Sequence, residues 1–224
     1  MKPGRQKTTK LFYFSVEGST EQWYLEWLCA QINKEQAATA NVRFVIKQCR
    51  LPSQLVKSYL VGHTPVIHLC DYEEDTHEQE TAFRTCLGDM QKQKGVNFIF
   101  GYSNFTFDLW IILHNLPKEK LSRVRVDSRN HYLEVINQTF SCSFSQMEAY
   151  KRERNFKQKI LGRLSLDSVR NAISCADAIM EQRKRTDTPV KVGRYAYYPA
   201  APSTALGHDV VAMILNGCGL KARA

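Results

Sequence analysis

The first half of the chain alternates short apolar runs with amphipathic segments. The apolar runs are rich in aromatic and β-branched side chains, which is typical of buried strands. Between them, apolar residues such as Trp23, Trp27 and Leu28 recur at helical spacing. The predicted strands cover residues 11–16, 41–48, 65–70 and 96–100. The predicted helices begin near Ser19, Pro52, Asp75 and Phe105.

This alternation predicts an α/β fold with a mostly parallel sheet and helices on both faces. The second half of the chain has helical periodicity instead, and its tyrosine- and proline-rich segment at 186–203 is predicted to be a loop. We therefore expect an α/β domain at 8–116 and a helical, basic region at 117–224 that packs on it as a single compact unit. The predicted helices of the second half cover residues 129–140, 155–161, 165–184 and 204–215.

Polar residues follow the predicted strands directly. Glu17 comes after the first strand, Asp71 after the third, and residues 103–108 after the fourth. Because ligands of parallel sheets bind beyond the carboxyl ends of the strands, these positions are the first candidates for a site. Glu21 lies one helical turn beyond Glu17, where it could equally be the acidic partner in a capping box. Ser103 and Asn104 could bind phosphate or cap a helix.

The acidic segment that begins at Asp71 has the chemistry of a cation site. Asp71 and Glu73 alternate on an extended strand end and so point to one side, with Asp75 next in line. Carboxylates this close repel one another unless a cation neutralises them, and hard oxygen ligands suit Mg²⁺ or Mn²⁺. The alternative is a solvated, acidic helix N-terminus, which explains Glu74, Asp75 and Glu78 better than it explains Asp71.

Composition and charge narrow the class of protein. The 224 residues are 43% hydrophobic and 24% charged, which excludes global disorder. The net charge is +9, and all of the excess lies in residues 113–224, which carry 19 basic and 10 acidic residues. A basic surface beside an acidic cluster favours a nucleic-acid partner. The best phosphate-contact patch comprises Lys151, Arg152, Arg154 and Lys157, although such a run could also be a solvated face.

The sequence gives no sign of a membrane or an oxidising compartment. No apolar run approaches the roughly 20 residues of a membrane span. Met1–Lys10 is basic but is followed by no small-residue cleavage site, so we expect no signal peptide. The seven cysteines are odd in number and contain no Cys-x-x-Cys pair, which argues against a disulfide framework and a zinc ribbon. We therefore expect a cytoplasmic protein.

Four ordered motifs resemble the RloB/AbiLii-like proteins of bacterial restriction and abortive-infection loci. They are a strand followed by Glu-Gly-x-Thr-Glu at 17–21, a strand followed by Asp-x-Glu-x-Asp at 71–75, Ser-Asn-Phe-x-Phe-Asp-Leu-Trp at 103–110, and Pro-Ser-Thr at 202–204. The resemblance implies a Toprim-type catalytic domain at 8–116. It also implies a Mg²⁺- or Mn²⁺-dependent nuclease of phage defence that a partner ATPase encoded nearby could activate.

The resemblance also implies roles for individual residues. Glu17 matches a general acid/base, and Asp71 and Glu73 match a pair of metal-binding acids, with Asp75 able to replace Glu73. Asp108 stands where related sequences have glutamate. We expect Asn104 and Asp108 to share one helix face, four residues apart. The implied catalytic set is Glu17, Glu21, Asp71, Glu73 and Asp108, and the implied metal ligands are Glu17, Asp71, Glu73 and Asp75.

Two other classes of function stay open on the residues alone. One is a non-catalytic nucleic-acid-binding or adaptor module on a Toprim scaffold. The other is a phosphotransfer or nucleotide-processing enzyme. Metal binding separates the nuclease from the adaptor, and the reaction products separate the nuclease from the third class.

Overall fold

The computed structural model describes residues 7–73, 77–123 and 129–222. Its main sheet contains β1 (Thr8–Val16), β2 (Ala40–Gln48), β3 (Val66–Asp71), β4 (Phe98–Asn104) and β7 (Ser203–Thr204). The strand order is β2-β1-β3-β4-β7. The first four strands are parallel, whereas β7 is antiparallel to β4. Two further strands, β5 (Val190–Val192) and β6 (Tyr195–Tyr197), form a separate antiparallel hairpin.

The α-helices lie between and after these strands. They are α1 (Ser19–Lys34), α2 (Ser53–Val56), α3 (His77–Lys92), α4 (Asp108–Leu113), α5 (Arg129–Phe140), α6 (Met147–Tyr150), α7 (Glu153–Asn155), α8 (Leu166–Thr186) and α9 (Met213–Gly217). Short 3-10 turns occur at Lys118–Arg123 and Leu161–Arg163, and π-helical turns at Phe156–Ile160 and Leu206–Ala212. In the described ranges, no helix has the length and apolar character needed to cross a bilayer.

The sheet separates two hydrophobic cores. Successive side chains of a strand point to opposite faces, so Phe14 and Ile67 enter one core while Tyr13 and Val66 enter the other. The first core is completed by α1, α4, α5 and α8, and the second by α3, whose Phe83 is buried against the sheet. The predicted α/β class, with a mostly parallel sheet, helices on both faces and a helical C-terminal part, is confirmed.

The predicted loop at 186–203 is wrong in part, because it contains the β5–β6 hairpin and the start of β7. Val192 pairs with Tyr195 across a two-residue turn, and Gly193 takes the positive φ of +58° that such a turn requires. Each strand of the hairpin has three residues, which is too short for an alternating pattern to stand out from a loop. The Tyr195 and Tyr197 side chains are buried in the second core.

The boundary between β4 and α4 also differs from the prediction. The predicted strand ends at Phe100, but β4 continues to Asn104 because residues 101–103 pair with β3 and Ser103 and Asn104 pair with β7. The helix therefore begins at Asp108 rather than near Phe105. Asn104 lies on a strand and Asp108 on a helix, so the expectation that they share a helix face is wrong.

Gly101 allows the C-terminal part of the chain to approach the sheet. A Cβ atom at this position would lie 2.7 Å from Leu69 Cδ2 and 3.0 Å from Val210 Cγ2. Both distances are shorter than a van der Waals contact, so any larger residue would push the π-helical turn that contains Val210 away from β4. Gly88 on α3 is the opposite case, since a Cβ atom there would have no neighbour within 4 Å.

We predict that the same substitution has opposite effects at these two glycines. Gly101→Ala should lower the free energy of unfolding by about 1–3 kcal/mol through overpacking. Gly88→Ala should raise it by about 0.5–1 kcal/mol, because it restricts the unfolded chain without a clash. Urea unfolding followed by circular dichroism measures both changes. Equal stability of the two variants would contradict the packing assigned to Gly101.

Candidate functional site

The candidate site lies where the sheet changes direction. From β1 the chain moves to β2 on one side and then returns past β1 to β3 on the other side. The carboxyl ends of β1 and β3 therefore border a topological switch point, which is where parallel sheets bind ligands. Glu17 follows β1 and Asp71 ends β3. The backbone N–H of Asp71 donates to Glu17 Oε2 at 3.4 Å.

Glu21 is held beside this point by the first turn of α1. Its side chain is buried, and the Thr20 hydroxyl donates to Glu21 Oε2 at 2.9 Å. Gly18 precedes the helix, and a Cβ atom there would lie 2.9 Å from the same Oε2 atom. Glycine at position 18 thus leaves room for the Glu21 carboxylate. The capping-box interpretation of Glu21 is wrong, because the N-cap is Gly18 and no side chain caps the helix.

Asp108, the first residue of α4, brings a further buried carboxylate to the site. Its Oδ2 atom accepts a hydrogen bond from the Thr106 hydroxyl at 3.1 Å and lies 3.4 Å from Lys151 Nζ. Its Oδ1 atom is buried and has no hydrogen-bond partner among the described residues. An unpartnered buried carboxylate oxygen is costly, and a bound cation or donor would satisfy it.

The carboxylates raise one another's pKa values, which places them in a single electrostatic cluster. Burial raises the pKa of Asp71 well above its usual range, and the charges of Glu21, Glu17 and Asp108 add to this. Burial also raises the pKa of Glu21, with Asp108 contributing. The pKa of Glu17 rises to about 7, because its carboxylate is desolvated and lies near Glu21 and Glu73. We call Glu17, Glu21, Asp71 and Asp108 the carboxylate cluster.

Lys151 is the basic residue that faces the carboxylate cluster most closely. Burial lowers its pKa, but the charges of Asp108, Asp71 and Glu21 outweigh burial, and the net pKa is raised. Lys151 therefore stays charged and offsets part of the repulsion. Nothing in the sequence signals this contact, because Lys151 follows α6 and is distant in the chain from all of the acids.

The donor set fits Mg²⁺ in its chemistry. The carboxylate cluster offers carboxylate oxygens, which Mg²⁺ and Mn²⁺ prefer, and Asp108 Oδ1 has no hydrogen-bond partner within the described residues. However, in the described part of the chain no three acidic, histidine or cysteine side chains already converge closely enough to hold one ion. Glu73 lies at the edge of the site and accepts a hydrogen bond from the Gln79 amide. Asp75, a predicted ligand, lies outside the described residues.

A cavity of about 440 Å³ opens beside Asp108. It is lined by Glu73 and Lys151 and by polar groups of Ser145 and Gln146, which precede α6. Tyr150 lies next to this region, and its hydroxyl is buried without a hydrogen-bond partner in the described chain. Burial and the charge of Asp108 together raise the pKa of this phenol well above its usual range. Sequence reasoning missed Tyr150, because a single tyrosine in a short helix carries no local signal.

The side chains of Ser103 and Asn104 make their hydrogen bonds with β7 and the segment before it. Ser103 Oγ is 3.2 Å from Thr204 Oγ1, and the Asn104 amide donates to the Pro199 carbonyl. Both side chains are buried, and they join β4 to β7 and to the segment that precedes it. Neither residue caps α4, whose N-cap is Phe107. Their predicted role in phosphate binding stays a prediction.

The predicted basic patch divides into parts with different surroundings. Lys151 turns towards the carboxylate cluster. Lys157 Nζ lies 2.7 Å from Glu153 and 3.8 Å from Glu26, and it also sits over the Trp23 ring. Arg152 and Arg154 are exposed. Arg152 and Arg154 are therefore better placed than Lys157 to meet a phosphate backbone.

The fold and the site together define an α/β protein that gathers carboxylates and one lysine at the switch point of a mostly parallel sheet. A comparison with models of known protein families matches residues 12–211 to the RloB-like protein family, and the chain belongs to this family. The matched region includes the whole carboxylate cluster and Lys151. Comparisons with curated proteins and with solved structures gave no match.

The carboxylate cluster should make the metal-free protein less stable as the pH rises. A carboxyl group whose pKa is raised by folding is protonated in the folded chain, so stability is lost as the pH rises from the unfolded pKa to the folded one. We expect Asp71→Asn to raise the free energy of unfolding at pH 8 in EDTA by at least about 1 kcal/mol, or roughly 2–4 °C in Tm. Thermal unfolding at pH 8 and pH 5 measures this, and the gain should shrink at pH 5.

Glu134→Gln is the matched control, because it removes one carboxylate from an exposed position on α5. It should leave Tm nearly unchanged at both pH values. If Asp71→Asn were no more stable than this control at pH 8, the repulsion assigned to the cluster would be absent.

Proposed function

We propose that this chain is a metal-dependent nuclease that cleaves phosphodiester bonds at the carboxylate cluster. The observation that carries the proposal is that Glu17, Glu21, Asp71 and Asp108 form one electrostatic cluster at the switch point, where burial and neighbouring carboxylates raise the pKa values of Glu17, Glu21 and Asp71. Like charges held this close are unfavourable in the isolated chain. Their presence is explained if a cation and a substrate phosphate complete the site.

The residues best placed to hold Mg²⁺ or Mn²⁺ are Asp71, Asp108 and Glu21. The sequence motif adds Glu73 and Asp75 as candidate ligands. A bound divalent ion would polarise the phosphate and stabilise negative charge on its oxygens. Lys151 adds a positive charge on the same side. It is paired with Asp108 and lines the 440 Å³ cavity, so a phosphate entering there would meet it.

Glu17 is the candidate for proton transfer. Hydrolysis joins a water oxygen to phosphorus and breaks the bond from phosphorus to the leaving oxygen, which must gain a proton. With a pKa of about 7, Glu17 is protonated in a substantial fraction of molecules near neutral pH. A group with a pKa near the working pH is the most effective acid or base. Glu17 is therefore assigned the proton that passes to the leaving oxygen.

The surroundings of the site favour a polyanionic substrate. Residues 113–224 carry all of the net charge of +9, and Arg152 and Arg154 are exposed on the segment that also carries Lys151. A role in phage defence, and activation by a partner ATPase, are part of the proposal through the resemblance to RloB/AbiLii-like proteins. Membership of the RloB-like family supports them at the level of the family alone.

We expect the wild type to cleave nucleic acid in the presence of Mn²⁺. This cleavage should be lost in Asp71→Asn and slower in Glu17→Gln. Asp71→Asn should bind Mn²⁺ far more weakly and lower cleavage by about 100-fold or more. Glu17→Gln should retain Mn²⁺ binding and lower the cleavage rate by roughly 100-fold, because only the proton transfer is lost. Titration calorimetry measures metal binding, and gel analysis of labelled DNA and RNA measures cleavage.

Glu134→Gln should match the wild type in both assays. Metal binding without cleavage of any strand, but with altered nucleotides as products, would support the phosphotransfer alternative. Nucleic-acid binding with neither metal binding nor cleavage would overturn the nuclease proposal in favour of the adaptor.

The divided basic patch gives a prediction about salt dependence. Arg152→Ala with Arg154→Ala should weaken nucleic-acid binding and reduce the slope of log affinity against log salt by about 1.4–1.8, as expected for two phosphate contacts. Lys157→Ala removes one positive charge but should change the slope much less, because Glu153 and Glu26 already pair with it. Fluorescence anisotropy over a salt series measures both slopes. Equal slopes for the double variant and the wild type would remove these arginines from the interface.

A further inference from the structure

A second, larger cavity adjoins the carboxylate cluster at Glu17. It is a groove of about 850 Å³ between the segment at 50–54 and the first half of α3. Glu17 lines this groove, whereas Asp108 lines the 440 Å³ cavity. Asp71 interacts electrostatically with both Glu17 and Asp108. The carboxylate cluster therefore borders both cavities, one through Glu17 and the other through Asp108.

The walls of the groove are suited to the flat, apolar faces of a nucleobase. Leu51 and Ala82 contribute aliphatic surface. The hydroxyls of Thr81 and Thr85 donate to carbonyl groups of their own helix at 2.7 Å, which leaves their methyl groups as the apolar part of the wall. A pocket of this size, apolar with a few polar groups, is typical of small-ligand sites, and it exceeds what one nucleotide needs.

Arg50 supplies the positive charge at the end of the groove nearest the cluster. It is the only lysine or arginine among the described residues that line the groove, and its charge lowers the pKa of Glu17. The Arg50 carbonyl accepts a hydrogen bond from the Cys86 thiol at 3.1 Å, so the backbone at this position is fixed to α3. The Arg50 side chain is exposed and its charge acts on Glu17, so its guanidinium can bind a phosphate group that enters the groove, through two parallel hydrogen bonds.

We propose that this groove is a subsite for one unpaired nucleotide next to the phosphodiester that is cleaved, with Arg50 on its phosphate, and that the substrate is single-stranded nucleic acid. This inference rests on the proposed nuclease function for the identity of the bond that is cleaved. A base in a duplex is paired and stacked between its neighbours, and it can enter such a groove only after both interactions are broken. An unpaired base enters without that penalty, and apolar walls accept any of the bases.

The test compares the binding of single-stranded and duplex oligonucleotides, with Ca²⁺ in place of Mg²⁺ to suppress cleavage. Fluorescence anisotropy is measured with DNA and RNA strands of one sequence and with their duplexes. The wild type should bind the single strands at least about tenfold more tightly than the duplexes. The DNA and RNA arms report which sugar the site prefers, and a preference for either agrees with the proposal.

Two pairs of variants locate the binding in the groove. Ala82→Tyr fills the groove from an exposed helix position, whereas Ala82→Ser changes the same position without filling it. Ala82→Tyr should weaken single-strand binding by about tenfold or more, and Ala82→Ser should not. Arg50→Gln should weaken it by about tenfold, whereas Arg84→Gln removes an exposed arginine of α3 that does not line the groove and should have little effect.

Equal binding of duplex and single strands by the wild type, or no binding of either, would overturn the subsite. So would equal single-strand binding by Ala82→Tyr and Ala82→Ser. These outcomes are distinct from failure of the nuclease proposal. If single strands bound in the groove but were not cleaved in Mg²⁺ or Mn²⁺, the subsite would be supported and the nuclease proposal would be overturned. Cleavage of duplexes that is unaffected by Ala82→Tyr would retain the nuclease and overturn the subsite.

Discussion

Repulsion among buried carboxylates is the constraint around which this protein is built. Glu17, Glu21, Asp71 and Asp108 come from the end of β1, from α1, from β3 and from α4, and their charges and burial raise the pKa values of Glu17, Glu21 and Asp71 at the switch point. Such a cluster opposes folding, so the stability that holds it together must come from elsewhere. The two apolar cores on either face of the sheet are the main source, and the strands and helices that carry the acids are anchored in them.

The second half of the chain stabilises the site that the first half carries. Lys151 brings a positive charge to Asp108. Arg183 donates to the carbonyls of Ala201 and Pro202 and pairs with Asp187, which fixes the segment before β7. β7 pairs with the end of β4. The contacts of Arg183 therefore also help to position the point at which the chain leaves β4 towards Asp108. The basic region is therefore part of the site's framework as well as a candidate surface for a polyanion.

The sequence predicted those features that depend on local pattern. Strands β1 to β4 and the main helices follow from apolar runs and periodicity, and Glu17 and Asp71 follow from the rule that ligands bind beyond strand ends. Features that depend on distant partners were missed or misplaced. β4 extends beyond Phe100 because residues 101–103 pair with β3 and Ser103 and Asn104 pair with β7, and Lys151 reaches Asp108 only in the folded chain. The sequence around Glu21 is typical of a helix cap. The burial of its carboxylate beside Gly18 cannot be recognised from that local pattern.

A row of buried hydrogen bonds beneath the site links the ends of β1 and β3 to the backbone of Arg50. His68 on β3 has a pKa lowered to about 4 by burial, so its ring is neutral at physiological pH. Its Nδ1 lies 2.7 Å from Ser15 Oγ and its Nε2 lies 2.8 Å from Cys86 Sγ. The Cys86 thiol also donates to the Arg50 carbonyl, so the His68 ring, the thiol and this carbonyl form one row of hydrogen bonds. These hydrogen bonds link β1, β3 and α3 to the backbone of Arg50. They therefore connect the switch point to the groove.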